Sequence, residues 1–111
     1  MGTSATISMD VNNKVKAIYC HFDGYPNHTG VTLKRFYTND KLIKELIDGG
    51  PCSFLDKNIN EIERSNNNKL YVSYNTLEEM YRKRSETSYY YHWDSHQWNL
   101  VTNHGQFISP I

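Results

Sequence analysis

A chain of 111 residues is enough for one domain with a single buried core and leaves no room for a separate cofactor domain. Twelve Lys and Arg balance twelve Asp and Glu, so the formal charge is zero and the chain has neither a global basic field for phosphate backbones nor the acidic surface of a nucleic-acid mimic. Aromatic residues make up 14% of the sequence, nine of them Tyr, which excludes the aromatic-poor, highly charged composition of a disordered chain.

The opening MGTSATISMD lacks the charged and apolar regions of a signal peptide, and no stretch approaches the roughly 18 apolar residues of a membrane helix. A cytoplasmic protein without membrane partners is the expectation. Residues 4–10 and 15–23 read as two strands around Asn12-Asn13, a pair suited to the positive φ angles of a tight hairpin turn. Alternation places Val15, Ala17, Tyr19 and His21 on one face and Lys16, Ile18, Cys20 and Phe22 on the other, with the second set expected to face the core. Asp23-Gly24-Tyr25-Pro26 then ends the strand, because Gly permits positive φ and Pro26 keeps Tyr25 out of the helical region.

A short helix is predicted from Thr29 or Gly30, with Val31, Leu33, Phe36 and Tyr37 as apolar positions and Lys34 and Arg35 facing water. A second follows at once: Asn39 caps it, Leu42, Ile43, Leu46 and Ile47 form its stripe, and Gly49-Gly50-Pro51 stops it. Residues 52–69 have little periodicity, and the Asn66-Asn67-Asn68 run predicts a mobile loop. LYVSY at 70–74 reads as a strand, and Thr76 with Glu79 reads as a capping box for a helix whose inner face is Leu77, Met80, Tyr81 and the stem of Arg84. A second hairpin, 88–94 and 98–103, closes the series around Ser95-His96-Gln97, with Tyr89, Tyr91 and Trp93 on one face and Tyr90, His92 and Asp94 on the other. The order β-β-α-α-β-α-β-β predicts a single α+β domain, an antiparallel sheet from two terminal hairpins with short helices packed on it.

The segment Ile18-Tyr19-Cys20-His21-Phe22-Asp23-Gly24-Tyr25-Pro26, followed by Gly30, Leu33 and Tyr37, resembles a family of small, uncharacterised phage and prophage proteins marked by a YCHxDGYP motif. Leu46, Gly49-Gly50 and Ser53-Phe54-Leu55 are similar to the glycine-turn piece that follows it there, and Tyr91-His92-Trp93-Asp94 with Trp98 is similar to its closing aromatic strand. The resemblance covers residues 4–55 well and 70–101 loosely. It implies an accessory protein acting in the cytoplasm of an infected bacterial host. The expected role is inhibition of a host defence system by binding, most specifically of the anti-CRISPR kind with a Cas effector as partner.

Two sets of residues carry the candidate chemistry. Tyr19, His21 and Asp23, with Tyr25 and His28 beyond them, combine imidazole and carboxylate, which serve as metal ligands or as an acid-base pair near neutral pH. Against that stand the thin ligand count and the lack of an HExxH, nucleophile-elbow or phosphate-loop motif, so His21 and Asp23 are read as binding or turn residues, with no catalytic residue, metal or cofactor expected. The second set is Arg82, Lys83 and Arg84 with Tyr90, His92 and Trp98. A hairpin aromatic on both faces is expected to leave rings exposed in so small a domain, and rings beside cations suit a protein interface or a stacked nucleotide. A nucleotide ligand bound or cleaved at the Tyr19, His21 and Asp23 face, or a homo-oligomer, are the alternatives; duplex DNA is disfavoured by the neutral charge. Cys20 and Cys52 form no CxxC pair and are expected to be buried free thiols.

Overall fold

The computed structural model describes residues 3–62, 64, 71–84, 87–102 and 107–110. The predicted loop at Asn66-Asn67-Asn68 lies outside them. Strands β1 (Ala5–Val11) and β2 (Lys14–Cys20) form the first hairpin, and Asn12 and Asn13 take φ of 50° and 65° at its tip. Side-chain amides tolerate this left-handed region better than most residues, and two such residues in a row match the right-handed twist of the strands.

After β2 a five-residue π-helical turn, Pro26–Gly30, leads into α1 (Val31–Phe36) and α2 (Asp40–Asp48). Asn39 caps α2 as predicted, its Oδ1 accepting from Leu42 N at 2.9 Å. A 3-10 turn at Ile59–Glu61 is followed by β3 (Val72–Tyr74) and α3 (Leu77–Lys83). Thr76 Oγ1 accepts from Glu79 N at 3.1 Å, while the Glu79 carboxylate accepts from Asn75 N at 2.8 Å, one residue earlier than a strict capping box. The chain ends in β4 (Tyr89–Trp93), β5 (Trp98–Thr102) and β6 (Phe107–Pro110).

The fold is α+β, and two details of the predicted sheet are corrected. The strand order is β3-β2-β1-β4-β5-β6, and β1 runs parallel to β4 with Ile7 opposite Tyr91, so the sheet is mixed. The second hairpin is not terminal, because β6 pairs antiparallel with β5 beyond it. Turn chemistry encodes a hairpin locally, but how two hairpins join depends on the long crossover that a parallel pair requires.

That parallel join puts β1 in the middle of the sheet with both faces covered. On one face Ile7, Ile18, Tyr91 and Trp93 pack with Leu33, Ile43, Leu46 and Ile47 from α1 and α2. On the other, Val15, Ala17, Tyr90 and Val101 pack with Met80 and Tyr81 from α3. The predicted inner face of β2 is therefore only half the story: Ile18 and Cys20 are core, but so are Val15 and Ala17. Lys16 keeps its stem inside and places its ammonium 4.2 Å from the Tyr71 ring centroid and 3.6 Å from Asp48 Oδ1. Among the described residues, no helix is long and apolar enough to cross a membrane.

Candidate functional site: the surface around helix α1

β2 stops at Cys20, so His21, Phe22 and Asp23 lie on the turn rather than on the strand. The turn is held mainly by backbone. Gly24 N donates to Thr3 O at 2.7 Å, and a Cβ on Gly24 would fall 2.8 Å from the Ala5 Cβ, closer than real carbons pack, so this position needs glycine for its approach to β1. Asp23 sits at φ 57°, and its carbonyl accepts from Thr29 Oγ1 at 2.7 Å. From inside, the Tyr91 hydroxyl donates to Gly24 O at 2.7 Å. Burial pushes that phenol well above its ordinary value, so it stays a donor at any physiological pH.

The two imidazoles of the predicted set take separate partners. His21 pairs through Nδ1 with the Tyr19 hydroxyl at 3.0 Å, and its ring meets Phe22 edge-on at 4.2 Å. His28 donates Nε2–H to Leu55 O at 3.0 Å, which ties the turn to the segment after Cys52. Among the described residues, no group of three or more His, Cys, Asp or Glu is placed to hold a metal ion.

What this region does have is exposed apolar surface. Among the described residues five large hydrophobics are exposed, and four of them fall between positions 22 and 36: Phe22 (44%), Tyr25 (41%), Val31 (45%) and Phe36 (40%). Val31 and Phe36, two of the four apolar positions expected of this helix, are exposed rather than packed on the sheet. The helix is only six residues long, and its core contact is made by Leu33, joined by Tyr37 at its C-cap. Lys34 and Arg35 face water as predicted, with the Arg35 guanidinium 5.7 Å from the Phe36 ring centroid.

Helix α1 also separates two clefts. One, of about 260 Å³, lies between His28, Thr32 and Phe36 and the loop residues Phe54, Leu55 and Lys57. The other, of about 230 Å³, lies between Lys34, Tyr37 and Thr38 and the β4–β5 turn, where Trp93, His96 and Trp98 line it.

The C-terminal set is placed differently from the sequence expectation. Tyr90, His92 and Trp98 are buried, at 1%, 3% and 3% exposure. Each has a polar partner: Tyr90 donates to Arg84 O at 2.7 Å, and Trp98 Nε1 donates to Tyr37 O at 2.8 Å. His92 bridges Ser8 Oγ at 2.9 Å and Asp10 Oδ1 at 3.0 Å. Burial pulls the His92 imidazole below its usual value, outweighing the Asp10 and Asp94 charges that raise it. The expectation of exposed rings fails because helices cover both faces of the sheet, a consequence of the parallel join. Arg82 and Lys83 are exposed as predicted, while Arg84 is half-buried with its Nε donating to the Tyr74 hydroxyl at 2.9 Å.

A third cleft, of about 400 Å³, opens between the first hairpin and the start of α3, lined by Asp10, Asn13, Lys14, Asn75 and Thr76. Comparison with known proteins adds nothing to this geometry: no family model, no curated protein and no solved structure matches the chain.

Proposed function

We propose that the chain is a non-enzymatic binding protein that docks on another protein through the α1 surface. The observation that carries this reading is the concentration of Phe22, Tyr25, Val31 and Phe36 in one exposed segment beside Lys34 and Arg35. Apolar rings bordered by cations are the composition of an interface core and its rim. The two clefts beside α1, at about 260 and 230 Å³, fall below the roughly 300–1,000 Å³ of small-molecule pockets, so each suits a single anchoring side chain of a partner. The partner we propose is a host defence protein, in its specific form a Cas effector, and this part of the reading rests on the resemblance read from residues 18–37 alone.

A small polar ligand such as a nucleotide is the second reading, favoured by the third cleft alone. There Asp10 offers acceptors for hydroxyl groups and Lys14 a charge for a phosphate. Immobilised protein incubated with bacterial host extract, followed by mass spectrometry of retained proteins and small molecules, separates the two. Protein docking requires one retained protein that is lost with Phe36→Ser and kept with Arg82→Glu. A retained nucleotide lost with Asp10→Asn favours the second reading instead.

A further inference from the structure

The α1 surface does not use the two thiols, yet the backbone holds them side by side. Cys52 N donates to Tyr19 O at 3.0 Å and His21 N donates to Cys52 O at 3.1 Å, which makes Cys20 and Cys52 partners in a parallel bridge. Such partners send their side chains to the same face, here the core under α1 and α2, with strands roughly 4.8 Å apart. That spacing lies inside the roughly 4.4–6.8 Å Cα window of protein disulfides. Both residues are fully buried, and both thiols are free.

The two sulfurs are not equivalent. A hydrogen bond from Cys52, helped by Thr29, holds the Cys20 thiol below its ordinary value, whereas that same bond, together with burial, pushes Cys52 up. In its protonated form Cys20 Sγ donates to Phe22 O at 3.4 Å. If either sulfur ionises, the hydrogen bond between the two favours Cys20 as the one that carries the charge.

We propose that Cys20 and Cys52 are a modification site, a reversible intrachain disulfide formed by reaction with a hydroperoxide. The Cys20 thiolate attacks one peroxide oxygen; the O–O bond breaks, Cys20 becomes a sulfenic acid, and the leaving oxygen takes a proton to become water. The Cys52 sulfur then attacks the Cys20 sulfur, the S–O bond breaks, and the departing hydroxyl leaves as water with the Cys52 proton. The sulfurs together lose two electrons and the peroxide gains them. Hydrogen peroxide is small enough to reach a buried sulfur through local opening, which a bulky disulfide oxidant is not. The new bond ties the end of β2, which leads into Phe22, to the segment carrying Phe54 and Leu55, and so fixes two edges of the exposed surface relative to each other.

Hydrogen peroxide treatment of the whole protein, read by non-reducing mass mapping of the two cysteine-bearing peptides, tests this. The expected product is a monomer with the two peptides linked, lighter by about 2 Da and restored by a dithiol reductant. The thermal midpoint of the linked form should rise by roughly 10 °C. In Cys52→Ser, dimedone should trap a sulfenic acid on Cys20, while Cys20→Ser should leave Cys52 unmodified. Should either variant fail to fold, the wild-type map decides alone. Unlinked cysteines after treatment, oxygen added to Cys20 without linkage, or cross-linked dimers would each overturn the proposal.

Discussion

Two aromatic regions of this small domain have opposite fates. In the C-terminal hairpin, Tyr90, Tyr91, Trp93 and Trp98 are buried, and every one of them has a polar partner for its hydroxyl or indole N–H. Around α1, Phe22, Tyr25 and Phe36 stand at 40% exposure or more, and two of the three have no polar atom to satisfy. Tyr and Trp are used where a ring must be buried and its polar end still bonded, for an unpaired buried donor costs about 1–3 kcal/mol. Phe at the surface brings no such structural benefit. The contrast separates rings that make the core from rings that remain available to a partner.

The largest effect that sharpens this contrast is expected from truncating a core ring. Trp98→Ala removes a side chain at 3% exposure together with its bond to Tyr37 O, and should cost about 3–5 kcal/mol in chemical denaturation. Phe36→Ala, the same truncation on the α1 side, should stay within about 0.5 kcal/mol. Next in size is the loss of one buried hydroxyl. Tyr91→Phe leaves the Gly24 carbonyl without its donor and should cost about 1–3 kcal/mol, whereas Tyr25→Phe should be neutral. Equal losses from the two members of either pair would erase the distinction between the regions.

A pH effect should follow from the buried His92. Its folded-state affinity for protons is lowered by burial, so the unfolded chain binds more protons as the pH drops through the ordinary His value near 6.5. Stability is therefore complete above that value and falls as the pH is lowered through it. The thermal midpoint should decline from pH 7.5 to pH 5.5, and His92→Gln should flatten the slope. The smallest effect is expected on the α3 side: Arg82→Glu with Lys83→Glu should shift stability by less than about 0.5 kcal/mol, since both side chains face water.

Local features were legible in the sequence wherever one residue type answers one backbone need. Asn12-Asn13 predicted the hairpin turn, Asn39 and Thr76 predicted helix starts, and the alternation through Tyr89–Trp93 sorted the rings onto the correct faces. Burial was not legible, because it depends on which strands meet. The parallel pairing of β1 with β4 lets α1 and α2 cover one face and α3 the other, and no turn residue encodes that pairing. The same gap hid the candidate site. Val31 and Phe36 counted as apolar positions of a helix, yet the six-residue helix reaches the core only through Leu33, with Tyr37 following just past its end. The available signal was that length: four apolar positions exceed what so short a helix can bury on one side.

The central claim is that the α1 surface, and not the α3 and hairpin side, carries the docking function. Its most direct measurement compares two charge reversals, Lys34→Glu with Arg35→Glu against Arg82→Glu with Lys83→Glu, for retention of the host protein captured by the wild type. Both pairs should keep the wild-type circular dichroism spectrum and thermal midpoint. The α1 pair should lose the captured protein, because rim cations that complement a partner become repulsive when inverted, and the α3 pair should retain it. Loss with the α3 pair and retention with the α1 pair would contradict the account.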